Sequence, residues 1–462
     1  MADVERMPLL LNAILYRVLI LGVIATLTFS RPAAAQDAPG LIRDAEIENT
    51  IRAYATPLFR VAGLDADFVQ IYLVNDPQIN AFVAGGQRLF INTGLLLKSQ
   101  RANQVVGVIA HETGHMAGGH LARSQEALDN ATAESIIAFV LGAAASVVAR
   151  DGSVAAGAAA AGQSMGLRSL FAYSIGQEER ADQAGVGFLD RTNQSARGLL
   201  EFFEILEKEE YLLPANQDPY LRTHPLTSSR VDFVRDHVAH SKTSDAPDPA
   251  GFDEMHKRML AKLRGFLLPP GQVTQLYPES DTSLYARYAR AIAYHRVPMH
   301  DKAMAEMDSL IKERPDDPYF QELKGQILFE SGHVRDSVAP YKKAVALLPK
   351  EPLMKVELAT SELEVEGDKA LAADAVSLLR EAVRVDNTNT DGWHELGIAE
   401  GRTGNIGNAA LALAEEAQLV GDRKTAAMQA TRAAQILPRG SPGWLRADDI
   451  RRQSKADRDN GD

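Results

Sequence analysis

The chain contains no cysteine, which excludes disulfides, thiolate metal sites and cysteine-based catalysis; any metal must rest on His, Asp or Glu. This absence assigns no compartment, because it suits reducing and oxidising surroundings alike. Positive charge is not in excess either. A formal net charge of −12 argues against a nucleic-acid binder, which needs a basic footprint to displace counterions from phosphates. Beyond the amino terminus no run of about 18 apolar residues occurs, so the mature chain reads as soluble. No long stretch joins low hydrophobicity to high charge, and the hydrophobic (45%) and charged (24%) fractions are those of folded globular matter. The 462 residues are too many for one compact core; at roughly 100–200 residues per domain, two or three domains are expected.

The amino terminus reads as a signal peptide. An apolar run from Val18 to Phe29 follows Arg17, and Ala33, Ala34 and Ala35 supply the small residues of a cleavage site, so cleavage is expected after Ala35. Asp3 and Glu5 sit in what should be a basic end, which makes Met7 an alternative start. An uncleaved anchor is the competing reading, but Asn12 and Arg17 interrupt the span.

From residue 36 to 265 the pattern is mixed. Ile47, Ile51, Tyr54 and Leu58 recur at helical spacing across 44–63, and short strands are expected at 68–74, 79–83 and 88–92, bounded by Asn75-Asp76-Pro77, Gly85-Gly86 and Thr93-Gly94. From Gln104 the period turns helical and runs into His111. Small-residue stretches at 135–148 and 153–170 read as packed helices; the apolar cluster of Ile136, Ile137, Phe139, Val140 and Leu141 leaves a lid or peripheral membrane contact open. A further helix is expected at 177–191.

Pro269, Pro270 and Gly271 punctuate an expected linker at 266–276. Beyond it, Pro315 and Pro349 stand one tetratricopeptide period apart, with Ala291, Tyr294, Gly325, Leu328, Tyr341 and Ala344 in matching places. A looser third unit carries an insertion near 364–370, Trp393, Leu396 and Gly397 open a fourth, and 425–437 reads as a capping helix. An all-α solenoid is expected over 277–445, ending in a polar tail at 446–462, since helix pairs bury their apolar faces only by stacking. Such solenoids hold peptides or proteins.

The chemistry concentrates in His111-Glu112-Thr113-Gly114-His115. Histidines four apart on a helix project from one face and reach a single zinc ion, and Glu112 beside them can take a proton from the attacking water and pass it to the leaving amine. A catalytic zinc needs a third protein ligand and one open position. Gly118 fits a pattern whose third histidine falls at position 121, but that residue is Leu121; His120 is one place early and suits an outer or packing role. Glu178 is the better third ligand, with Glu179 its rival, and Asp182, one turn on, can hold a ligand histidine in its tautomer. His224, before Pro225 in extended backbone, is expected near the metal, either stabilising an oxyanion or occupying the open position at rest. Arg230 is a candidate brace for the acidic groups. Strand 80–83 or 88–92 is a candidate platform for extended substrate.

His111-Glu112-Thr113-Gly114-His115, with Glu178, Ala181 and Asp182 after it and Asn80-Ala81-Phe82 and Asn92-Thr93-Gly94 before it, resembles the HtpX-type zinc metallopeptidases. With a signal peptide and tetratricopeptide units, the chain is most similar to their BepA-like periplasmic branch; HtpX-type members carry membrane-spanning helices that are missing here. The resemblance implies an α+β zincin-like (gluzincin) domain before the solenoid. It also implies a role in outer-membrane protein quality control and assembly, with assembly machinery docked on the repeats.

The leading expectation is an exported zinc endopeptidase acting on misfolded or stalled exported polypeptides: one Zn2+ on His111, His115 and Glu178, Glu112 as general base, Asp182 and His224 assisting. The competing class is a tetratricopeptide chaperone or docking scaffold whose metal site is structural or normally closed. Glu112 separates them, because a structural site needs ligands but no adjacent base.

Overall fold

A computed structural model describes residues 40–120, 175–212, 220 and 224–459. The expected signal peptide and the expected helices at 135–148 and 153–170 lie outside the described residues. No described helix is long and apolar enough to cross a membrane.

Helix α1 (Ala45–Val61) begins where the Asp44 carboxylate accepts the Ile47 amide at 2.8 Å, satisfying one of the amides that the first turn leaves unpaired. Its Ile47, Ile51, Tyr54 and Leu58, on one helical stripe, are all buried. The sheet has the order β1-β2-β4-β3, from β1 (Leu41–Ile42), β2 (Gln70–Val74), β3 (Ala81–Ala84) and β4 (Arg88–Asn92). β2 and β4 are parallel, and β3 and β4 form an antiparallel hairpin. Its turn is Gly85-Gly86, both at positive φ (53° and 94°), a backbone only glycine adopts without strain. Period-2 alternation sends Ile71, Leu73, Val83, Leu89 and Ile91 into the main core. On the opposite face Tyr72, Phe90 and Phe82 stack across three strands with centroids 4.9 Å apart.

After the short α2 (Thr93–Lys98), helix α3 (Ala102–Ala117) is buried from Ala102 to His115. Around it lie α4 (Ile175–Arg191), α5 (Arg197–Leu212), α6 (Ser228–His240) and α7 (Phe252–Leu267). The apolar half of α3, Val105, Val106, Val108, Ile109 and Ala110, is covered on every side by this shell.

The segment expected as a linker is helical instead. Pro270 starts α8 (Pro270–Leu276) at a position where its missing amide costs nothing, and Val273 and Ala261 of α7 both pack into the solenoid core. The solenoid stacks α9 (Leu284–His295) on α10 (His300–Glu313), α11 (Pro318–Glu330) on α12 (Val334–Leu347), and α13 (Pro352–Leu363) on α14 (Lys369–Val385). The stack continues with α15 (Thr390–Arg402), α16 (Ile406–Leu419), α17 (Arg423–Ile436) and α18 (Pro442–Asp459). Glycines stand where two of these pairs cross, Gly325 between α11 and α12 and Gly397 between α15 and α16. A Cβ on Gly325 would meet the Tyr341 ring at 2.8 Å, and one on Gly397 would meet Leu413 at 2.8 Å. The stretch 446–459, expected as polar tail, continues α18, because Ala447 and Ile450 are buried against the preceding helices.

The start of the peptidase-like region is embedded in the repeats. Asp317, Glu351 and Asp386 recur at about one repeat spacing. They bind Arg258 (3.0 Å), Asn49 (2.8 Å) and Arg43 (2.7 Å) respectively. Between them Glu46 accepts from Arg258 Nε at 2.7 Å and Tyr288 Oη at 2.6 Å, and Lys262 Nζ lies 2.7 Å from Asp44. Ala45 packs with Ala344, Leu353 and Met354. Part of the repeat surface therefore serves the chain's own α1.

Candidate metal centre

The candidate residues converge because α3 and α4 cross at glycines. A Cβ on Gly114 would stand 2.6 Å from the Ala181 carbonyl oxygen, and one on Gly185 would stand 3.2 Å from Ala110 backbone. Only with hydrogen at both positions do the helices come this close, and the close approach brings Glu178 and Asp182 over the histidine face of α3. His111, Glu112, His115, Glu178, Asp182 and His224 are all fully buried. Glu179, the rival of Glu178 as third ligand, is exposed and accepts from Ser229 Oγ at 3.4 Å, away from the cluster that Glu178 joins.

His111 Nε2 and His115 Nε2 face each other at 3.1 Å. Glu178 brings Oε2 to 3.4 Å from His111 Nε2 and Oε1 to 3.2 Å from His115 Nε2. His224 Nδ1 stands 3.4 Å from His111 Nε2 and 3.2 Å from Glu178 Oε1. These four side chains offer ligand atoms all within 4.8 Å of one another. Tetrahedral ligands on metal bonds of about 2.1 Å stand ~3.4 Å apart, so the observed separations are those of a metal's coordination shell. The donor set, imidazole nitrogens with one carboxylate, suits zinc.

Outer contacts fix this arrangement. His111 Nδ1 pairs with Asp182 Oδ1 at 2.8 Å, which assigns the proton to Nδ1 and leaves Nε2 a lone pair aimed inward. Arg230 donates to both Asp182 oxygens, at 2.6 and 3.0 Å, and to the Pro225 carbonyl at 2.8 Å, and its Nη1 lies 2.9 Å from Glu178 Oε2. Burial opposes the charge on both carboxylates, yet the surrounding histidines outweigh it at Glu178, and His111 with Arg230 outweighs it at Asp182, so both are held below the usual carboxylate range. Burial likewise disfavours His111's charge, but Asp182 and Glu178 raise that imidazole to about 10, while burial and its histidine neighbours lower His115 to about 3.

Glu112 stands apart from these pairs. Neither oxygen has a hydrogen-bond partner among the described residues; His224 Nε2 lies 3.6 Å from Oε1. Burial raises its pKa, with His224 and His111 pulling the other way. A buried carboxyl with a raised pKa and no committed partner is what general acid–base work at neutral pH requires.

Sequence reasoning missed Tyr220, whose ring stacks on His224 at 4.6 Å and 27°; no spacing signal marks it. Nor did it foresee that Gly114, inside the metal motif, sets the helix crossing.

Residues 42–238 match the model of peptidase family M48. The chain carries an M48 peptidase domain. Residues 42–238 are thus the peptidase-family part of the chain, and a stack of paired helices follows them. A putative beta-barrel assembly-enhancing protease of Vibrio cholerae serotype O1 is 25% identical over 384 residues, covering 82% of this chain and 77% of the relative. The beta-barrel assembly-enhancing protease of Escherichia coli (strain K12) is 23% identical over 370 residues, covering 76% of this chain and 71% of the relative. Among solved structures, yeast Tom70 aligns with 76% of this chain and 82% of its own at 13% identity and a TM-score of 0.31, a likeness too weak to carry an argument.

Proposed function

We propose that this M48 peptidase is an exported zinc endopeptidase of the periplasm that cuts misfolded or stalled exported polypeptides in outer-membrane protein quality control and assembly. One observation carries the catalytic reading: His111, His115 and Glu178 present ligand atoms at coordination-shell separations, with the uncommitted Glu112 carboxyl beside them. The names of the relatives, which span most of the chain, support the assembly role. In the proposed division of labour residues 36–265 cut and residues 277–445 hold a protein partner of the assembly machinery.

When bound on His111, His115 and Glu178, zinc supplies Lewis acidity that eases deprotonation of water and polarises a carbonyl. Glu112 takes the proton of the attacking water and delivers it to the amine of the broken peptide bond. Asp182 holds the Nδ1 proton of His111 so that Nε2 stays a lone pair, and Arg230 keeps Asp182 ionised. The position of His224 Nδ1 beside His111 Nε2 and Glu178 favours the normally closed reading: at rest His224 would be a further holder of the metal, and its withdrawal would make room for water and substrate.

The test is digestion of an unfolded protein by the purified mature chain, with and without chelator, beside Glu112→Gln. Both changes are expected to abolish cleavage, and added zinc to restore the chelated enzyme. Cleavage insensitive to both would sink the mechanism. His224→Ala is expected to raise resting proteolysis; no change in resting or stimulated rates removes the closed-site reading. A Glu112→Gln chain that loses proteolysis but keeps its cellular role would favour the scaffold alternative.

A further inference from the structure

We infer that His120 is a positioning residue for His115, fixing the tautomer and ring orientation that aim the His115 Nε2 lone pair at the metal position; the inference rests on reading His115 as a ligand. His120 is 2% exposed, and its Nδ1 lies 3.0 Å from His115 Nδ1, with the rings edge to face at 5.1 Å and 77°. His115 Nε2 faces His111 and Glu178, so metal binding there requires the His115 proton on Nδ1. That N–H then donates to His120 Nδ1, which must be a lone pair. The two ligand histidines are thus held by different acceptors, His111 by the Asp182 carboxylate and His115 by an imidazole.

The backbone is shaped to place this imidazole. Helix α3 ends at Ala117, and Gly119, at φ +59°, folds the chain back so that His120 lies over the last helical turn. A Cβ on Gly118 would stand 2.6 Å from His120 Nε2 and 2.9 Å from its Cδ2 and Cε1; the ring sits where a side chain on residue 118 would be. A neutral acceptor also makes electrostatic sense. Glu112, Glu178 and Asp182 are buried together with Arg230, and a fourth buried carboxylate would add charge that the site has no further fixed cation among these residues to balance. An imidazole orients His115 without adding it.

The test uses the full mature chain carrying His120→Asn, His120→Leu or Gly118→Ala, with His115→Ala as control. Zinc affinity is read by competition with a chromophoric chelator, and the metal-free proteins are compared by urea unfolding. His120→Leu, which keeps bulk but no acceptor, is expected to weaken zinc ~10- to 100-fold. His120→Asn, whose Oδ1 lies near the place of Nδ1, is expected to retain affinity. Gly118→Ala, which displaces an intact His120, is expected to follow His120→Leu. Equal affinities for the Asn and Leu variants would overturn the inference; if the Leu variant does not fold, equal affinities for Asn and Gly118→Ala do so. An unaltered chain that binds zinc no tighter than His115→Ala overturns the metal reading itself and the inference with it.

Discussion

Replacing Gly114 by alanine tests how the fold delivers its carboxylates to the histidines. The added methyl would lie 2.6 Å from the Ala181 carbonyl oxygen and 2.9 Å from its Cα, backbone atoms that cannot swing aside, so about 0.8 Å of separation between α3 and α4 is needed to restore an ordinary contact of about 3.4 Å. Overpacking of this kind costs roughly 1–3 kcal/mol. The functional cost is expected to be larger. Glu178 and Asp182 travel with α4, a constellation of this sort tolerates about 0.5 Å of error, and a displacement near 1 Å costs on the order of 10²-fold in rate. Gly187, on the same helix, has nothing within 4 Å of its Cβ position, so Gly187→Ala is expected to be neutral or to stabilise by roughly 0.5–1 kcal/mol. Both variants are compared by urea unfolding, zinc competition and peptidase rate on an unfolded protein. A Gly114→Ala chain with the activity and unfolding midpoint of Gly187→Ala would refute this account of the crossing.

Arg230→Met leaves Asp182 and Glu178 buried without their shared cation and is expected to destabilise the metal-free chain by roughly 3–5 kcal/mol, with saturating zinc recovering part of the loss; unfolding curves with and without zinc read both. Arg258→Met strips Glu46 and Asp317 together and is expected to cost a similar ~3–5 kcal/mol, seen as faster proteolytic nicking between the peptidase region and the repeats. Glu362 gives a pH signature. Burial, offset in part by Lys342, raises its carboxyl to about 7, so between about pH 4.5 and 7 the folded chain holds a proton that the unfolded chain has released. This contribution to stability is full below about pH 4.5 and lost as pH rises through 7. Glu362→Gln is therefore expected to gain on the unaltered chain between pH 5 and pH 8 in urea unfolding, and a constant difference contradicts the assignment.

The peptidase elements were legible where one local rule decided them. The stripe Ile47-Ile51-Tyr54-Leu58 is amphipathic in isolation, and 88–92 is a buried strand between turn residues, so both regions form as expected. Glu178 was legible only because a histidine pair had already made an isolated carboxylate meaningful. The linker was misread because Pro269-Pro270-Gly271 is equally good punctuation for a loop and for a helix start; burial of Val273 decides it, and burial is not local. The same holds for the tail, where two apolar residues, Ala447 and Ile450, suffice to dock an otherwise polar helix.

The charged contacts between α1 and the repeats show most clearly why some of the architecture stays hidden in the sequence. Glu46 and Asn49 lie on α1 and Arg43 just ahead of its cap Asp44, while Asp317 and Glu351 also cap α11 and α13. The pairs Arg43–Asp386, Asn49–Glu351 and Glu46–Arg258 are 343, 302 and 212 residues apart along the chain. Charges in such pairs are costly to bury unless each finds its partner with good geometry, so the network discriminates against misregistered docking of the repeats more than it adds stability. That selectivity has a mechanical consequence. Glu351 holds Asn49 of α1 and Asp386 holds Arg43 just ahead of that helix, while Ile51, Tyr54 and Leu58 of α1 are buried in the core shared with α3, so a shift of the repeats would reach the histidine helix through α1. Arg43→Ala, which frees Asp386 at a half-buried rim, is therefore expected to leave zinc affinity intact while weakening any stimulation of cleavage by a bound partner. Parallel loss of zinc affinity would show that α1 shapes the site itself rather than relaying to it.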